Sequence, residues 1–190
     1  MSVILLPDCP TDCTGVLESV LFSECAPEVH FGEISKLYLW VDSATPPFAN
    51  QGEFDSAVHW NTHLNPSGSS LTDIREFTVI GEMPEPEQTE TPISGDRIVI
   101  GFKKFVLNLE IDETNETNYT FLLASECNGK YKMAFQTADG LIYGGWRGID
   151  VTLKMNQVIP RERSAVVKIM VKVSWTHKNH PLRQISIIAV

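Results

Sequence analysis

Apolar and polar side chains alternate most regularly at 165–175, where Val167, Ile169, Val171, Val173 and Trp175 fall on one side of an extended chain and Lys168, Lys172 and Ser174 on the other. A period of two sends successive side chains to opposite faces, so this stretch reads as a strand with one face in a core and one in water. Residues 16–22, 34–41, 77–80, 98–111, 149–155 and 184–190 carry the same signature, rich in β-branched and aromatic residues. Tyr131, Met133, Phe135 and Thr137 alternate with Lys130, Lys132, Ala134 and Gln136, and Asp139-Gly140 then supplies a turn ahead of Leu141, Ile142 and Tyr143. That pattern predicts a hairpin. The fold class expected is mainly β, a β-sandwich or barrel.

Two stretches break the strand rhythm in favour of helix. Across 115–126, Tyr119, Leu122 and Leu123 stand at helical spacing, behind a polar start and ahead of Asn128-Gly129, which predicts one flanking helix. Residues 53–64 bring Phe54, Ala57, Val58 and Trp60 together, but Asn61 and Pro66-Ser67-Gly68 hold any helix there to a short one. From 82 to 95 both patterns fail. Pro84, Pro86 and Pro92 deny the backbone a helix or a central strand, while Glu82, Glu85, Glu87 and Glu90 repel one another. This long acidic, Pro-rich loop is expected to stay out of its own subunit's sheet, either as a solvated loop or as an arm that orders on a neighbouring copy. A chain of 190 residues can bury a substantial core, so one β-rich domain over 1–190 is expected, with 82–95 as its excursion.

Charge sharpens this picture. Residues 1–95 hold two basic residues, Lys36 and Arg75, against fifteen Asp and Glu, a net −13; residues 96–190 hold thirteen basic against nine acidic, a net +4. Opposite signs on the two halves suit a subunit whose one surface attracts a different surface of the next copy, so Glu82, Glu85, Glu87 and Glu90 are candidate subunit-interface residues. The overall −9 argues against a nucleic-acid-binding role, because phosphate affinity comes mainly from clustered Lys and Arg. No apolar run approaches the roughly 18 residues of a membrane span. The apolar start at 1–6 lacks the basic n-region of a secretory signal and is cut off by Pro7 and Asp8, so no membrane association or export is expected. On that footing the sequons at Asn115 and Asn118 read as helix-start chemistry.

Candidate chemistry is sparse. Cys9, Cys13, Cys25 and His30 supply thiolate and imidazole ligands of the kind a tetrahedral zinc site uses, but their spacing fits no standard knuckle, and reduced cysteines serving as small apolar residues are the favoured account. His59 and His63 have the i, i+4 spacing of a zincin helix, yet Trp60 stands where the general-base glutamate is required. His177 and His180 flank a Lys-Asn-His-Pro turn. Gly144-Gly145-Trp146-Arg147-Gly148 lacks the Lys-Ser/Thr end of a phosphate loop, so these are turn glycines. The pairs Asp112/Glu113 and Asp139/Asp150 carry nothing that marks one member as a buried acid. The expectation is therefore a non-enzymatic protein without a cofactor.

The stretch Arg97-Ile-Val-Ile-Gly-Phe-Lys-Lys-Phe-Val-Leu-Asn-Leu, through Tyr119 to Leu123, then Tyr131-Lys-Met-Ala-Phe-Gln-Thr-Ala-Asp-Gly-Leu-Ile-Tyr-Gly-Gly, resembles virion structural proteins of tailed bacteriophages, most closely tail tube subunits. The order carries the likeness over about 97–175: long strand, acidic link, short helix, hairpin with Thr-x-Asp-Gly, further strands. His30-Phe-Gly-Glu-Ile-Ser-Lys-Leu-Tyr-Leu is similar to opening strands in such proteins. The resemblance implies a β-sandwich or barrel with one flanking helix. It further implies a homo-oligomer, commonly a hexameric ring, that stacks with other copies and other virion proteins into a hollow tube through which DNA passes without specific binding. The protein would be made in the host cytoplasm and end in the virion. A capsid-decoration, neck or tail-terminator protein is the nearest alternative. A non-catalytic β-sandwich binding module, holding a peptide or carbohydrate on Trp40, Trp60 and Trp146 or on the acidic loop, is the alternative of another class.

Overall fold

The alternation at 165–175 resolves into a strand over Lys168–His177, with Ile169, Val171, Val173 and Trp175 buried and Lys172 and Thr176 exposed. The strand starts at Lys168 because Ala165 N–H donates to Glu162 O, closing a turn just before it. The computed structural model describes residues 32–66, 70–92, 98–126, 129–162 and 164–188; the strand expected at 16–22 lies outside them. In chain order the elements are β1 Ile34–Val41, α1 Gln51–Phe54, α2 Ala57–His63, β2 Arg75–Glu82, β3 Glu87–Pro92, β4 Ile98–Ile111, α3 Glu116–Ser125, β5 Tyr131–Thr137, β6 Leu141–Tyr143, β7 Ile149–Val158, β8 Lys168–His177 and β9 Arg183–Ile185.

The strands run in the order β1-β2-β4-β8-β7-β5, and β5 pairs back onto β1, closing a six-stranded antiparallel barrel. The protein is thus mainly β and, of the two architectures expected, a barrel. A barrel this small has room only for side chains. Leu37 and Leu39 of β1, Phe77 and Val79 of β2, Phe105, Leu107 and Leu109 of β4, Met133 and Phe135 of β5, and the inward residues of β8 fill it. Phe105 stacks on Trp175 at 5.0 Å between ring centroids. Helix α3 contributes Leu122 to this core and sets Phe121 against Phe77 at the end of the barrel where β4 stops. Its N-cap is Asn115, whose side chain accepts from Asn118 N–H at 2.8 Å, an arrangement worth about 1 kcal/mol.

A second core lies outside the barrel, over β1 and β5. The alternate residues of these paired strands point away from the interior: Tyr38 and Trp40 on β1, Ala134 on β5. Phe48, Phe54 of α1 and Trp60 of α2 cover them, with Phe48 and Trp60 ring centroids 4.7 Å apart. The short helix expected at 53–64 is therefore two, divided at Ser56, whose backbone is extended. Trp60 Nε1–H donates to Phe54 O at 2.7 Å and ties the pair together. Of the C-terminal strand expected over 184–190, the described part is strand only in β9, which pairs with β6, and 189–190 lie outside the described residues; beyond β9 Ser186 donates to the buried Gln136 Oε1 at 3.0 Å and Ile188 packs on the second core.

Of the acidic stretch 82–95, residues 93–95 lie outside the described residues; in the rest, Glu82 ends β2, 83–86 are outside any strand, and Glu87–Pro92 form β3, antiparallel to β4 and so part of the subunit's own sheet. Pro84 and Pro86 fall in the link, where no ladder hydrogen bond is asked of them. Pro92 is the last residue of a strand at the sheet edge, a position that tolerates it. The like charges are no obstacle either, because β4 sets Lys104 opposite Glu87, with Lys104 Nζ 3.3 Å from Glu87 Oε2.

Candidate functional site

Strand β4 is longer than the barrel needs. It pairs with β8 only from Lys103 to Ile111 and with β2 only from Asn108 to Glu110, so Ile98–Phe102 pair with β3 alone. Strand β3 packs closely on no described element other than β4. The result is a two-stranded ribbon that runs on past the barrel. Among the described residues the outer edge of β3 is unpaired, and the ribbon and the β6–β9 pair are the additions to an otherwise closed sheet. Glu85, Glu87 and Glu90 are exposed along the segment leading into and through β3, and Phe102 on β4 is 65% exposed. Of the four glutamates expected at an interface, Glu87 meets Lys104, and Glu82, at the end of β2, lies in register with Asn108 of β4.

At the other end of the barrel, the β7–β8 connection exposes Val158, Ile159 and Val166, with Ile159 at 74%. Between the two ends, the outer face of β4, β8 and β7 is polar. Register sets Lys172 of β8 directly between Asn108 of β4 and Lys154 of β7, all three exposed. The adjacent row is Val106, Ser174 and Thr152, and beside it a depression of about 300 Å³ is lined by Lys104, Asp150, Thr152, Ser174 and Thr176. Lys168, two pleat repeats from Lys172 on the same face, is held by Glu110 at 2.7 Å and Asp112 at 3.6 Å; the hydrogen bond to Glu110 and the nearby carboxylates raise its pKa above the usual lysine value.

The remaining candidates divide clearly. Cys9, Cys13, Cys25 and His30 lie outside the described residues, and among the described residues no group of three or more His, Cys, Asp or Glu is arranged to hold a metal ion. His59 and His63 do share a face of α2, with ring centroids 5.4 Å apart, and His59 Nε2 is 3.4 Å from Glu53 Oε2; Trp60 between them belongs to the second core. His177 Nδ1 closes its own turn with Asn179, and His180 stands edge-on to Phe105. Gly140, Gly144, Gly145 and Gly148 all have positive φ, as turn glycines require. Asp112 and Asp150 are engaged by Lys168 and Lys132, and both carboxylates are exposed. The binding-module alternative loses most of its aromatic platform, because Trp40 and Trp60 are 2% and 1% exposed inside the second core; Trp146 is half-buried, with the Arg147 guanidinium 4.6 Å over its ring.

Sequence reasoning pointed to the acidic segment but missed the lysine pair opposite it in charge, because Lys154 and Lys172 become neighbours only through the β7–β8 register. No family model, no curated protein and no solved structure matches this chain.

Proposed function

We propose that this protein is a structural subunit that assembles with copies of itself into rings, and that the rings stack as the tail tube of a tailed-bacteriophage virion through which DNA passes. The observation that carries the reading is the ribbon of β3 and Ile98–Phe102. Two strands alone are marginally stable in water, and a free strand edge is a template for pairing with another chain, so a ribbon kept beyond the barrel is best accounted for by a partner surface. The division of charge supplies the partner's chemistry: an acidic first half carries the ribbon's glutamates, and a basic second half carries Lys154 and Lys172. An acidic surface meeting a different, basic surface is a heterologous contact, which closes into a ring when the rotation between copies permits and otherwise continues as a helix. The barrel interior is filled with side chains, so a channel has to be bounded by several copies and cannot run through one.

Sedimentation velocity and negative-stain imaging of the purified chain test this. Rings or tubes whose population falls as salt rises are expected, since exposed ion pairs are screened over about 8–10 Å at physiological ionic strength. A monomer at every concentration and salt overturns the proposal.

A further inference from the structure

The strongest unexplained feature of the surface is the lysine pair. Lys154 and Lys172 are cross-strand partners on the outer face of the barrel, both exposed, and neither makes an ion pair or hydrogen bond among the described residues. Side chains directly opposite on neighbouring strands have Cβ atoms about 4.5–5.5 Å apart, and like charges so placed destabilise the sheet. The neighbouring strand offers no relief: the residue beside Lys172 on β4 is Asn108. By contrast Lys168, on the same face, has Glu110 and Asp112. This sheet thus pairs Lys36, Lys104, Lys132 and Lys168 with its own carboxylates and leaves Lys154 and Lys172 without one among the described residues.

The geometry points to a specific occupant for this face, the β2–β3 segment of a second copy, with Glu85 and Glu90 meeting Lys154 and Lys172. The inference rests on the self-assembly reading and names its contact. Glu85 and Glu90 are exposed and, unlike Glu87, make no ion pair among the described residues. Glu90 lies on β3, which packs closely on no described element but β4, and Glu85 lies in the link that leads into it. The row next to the lysine pair borders a depression that offers a docked segment the hydroxyls of Thr152, Ser174 and Thr176 beside Val151 and Trp175. A carboxylate set between the two ammonium groups turns their mutual repulsion into attraction to a third charge. The acidic segment leaves the barrel at Glu82, which flanks Asn108 on the side away from Lys172, so the two charged patches are neighbouring but distinct parts of the outer face, and each copy gives one and receives on the other. A polyanion such as nucleic acid is the competing occupant; the net −9 of the chain repels it, whereas a second copy brings the complementary acids itself.

Charge reversal tests the pairing. The double variant Lys154→Glu/Lys172→Glu keeps a like-charge cross-strand pair, so its thermal unfolding stays close to wild type, while the concentration needed for half-assembly rises by about tenfold or more. Glu85→Lys/Glu90→Lys has the same effect. Mixed one to one, the two variants assemble again, because each variant's segment now matches the other's face. Four results overturn the inference. If the lysine variant assembles like wild type, the contact is elsewhere and self-assembly stands. If both variants stay monomeric and the mixture is not rescued, the two groups serve separate contacts. If lysine reversal leaves assembly intact but abolishes binding of a fluorescent single-stranded DNA oligonucleotide, the face serves a polyanion. A wild type that never assembles removes the self-assembly reading and this inference together.

Discussion

At the scale of single residues, the second core sets the tightest constraints. Gly148 turns the chain with φ 67° beneath the Trp40 ring, and a Cβ placed there would overlap Trp40 Cζ2. Trp40 is pinned on its other side by Phe48, at 6.1 Å between centroids, so it has little room to move. Gly148→Ala is expected to destabilise the protein by about 2–4 kcal/mol, the sum of a left-handed alanine and an overpacked core, read as a lower urea midpoint with unchanged slope. Tyr38 gives a pH signature from the same region. Burial, aided by the charge of Glu76, pushes its hydroxyl well above the ordinary phenol value, and its proton is held in a 3.0 Å hydrogen bond to Gln136 Oε1. The neutral form is favoured in the folded state, so this group's contribution is intact below about pH 10 and is lost as pH rises beyond it, where the unfolded chain can ionise. In an alkaline titration followed by tyrosinate absorbance, Tyr38 ionises only as the protein unfolds. Tyr38→Phe removes that late component from the four-tyrosine total. A late component that persists in Tyr38→Phe would assign it to another tyrosine.

At the scale of elements, β8 offers the sharpest contrast between faces. Val171 is buried in the barrel and Lys172, its neighbour in sequence, is exposed outside it. Val171→Asp is expected to prevent folding, since an unpaired carboxylate in a dry core costs several kcal/mol, whereas Lys172→Glu leaves the melting temperature within a few degrees of wild type. Circular dichroism melts of unassembled protein decide this, and equal losses would refute the facing of β8. The strand was legible because water lies on one side of it. Strand β5 was legible only as a strand, and its burial was not, because Ala134 and Gln136, read as the polar side of an alternation, are closed off by the second core. What covers them comes from α1, α2 and the C-terminal residues, far away in sequence, and no local pattern announces that cover. The same holds for β3: Glu87-Gln-Thr-Glu-Thr-Pro92 has poor strand chemistry, and its conformation comes from pairing with the apolar β4. Local composition identified the segment as unusual but could not supply its partner strand.

At the scale of the whole molecule, the barrel and the ribbon are separable, and that separability can be tested. Glu87 of β3 is the register partner of Lys104 on β4, so among the described residues 88–92 and 98–103 form the part of the ribbon beyond that rung. Asn-Gly in place of 88–103 joins Glu87 to Lys104 by a two-residue turn of the type that matches strand twist. All six barrel strands keep nearly their full pairing: β2 still meets β4 at Asn108 to Glu110, and β8 loses only its last rung, Lys103 with His177. Among the described side chains of 88–103 none belongs to either core, so the shortened protein is expected to melt within a few degrees of wild type. Assembly is expected to be lost, because the shortening removes Glu90, Phe102 and the free edge of β3 together while leaving the lysine-bearing face untouched. Adding the shortened chain to wild type discriminates further. It still offers a receiving face, so in a heterologous ring it should cap growing assemblies and reduce their size in proportion to the amount added. Sedimentation velocity across mixing ratios measures this. If the shortened chain forms rings or tubes as readily as the full chain, the ribbon has no part in joining copies and the assembly reading has to find another surface.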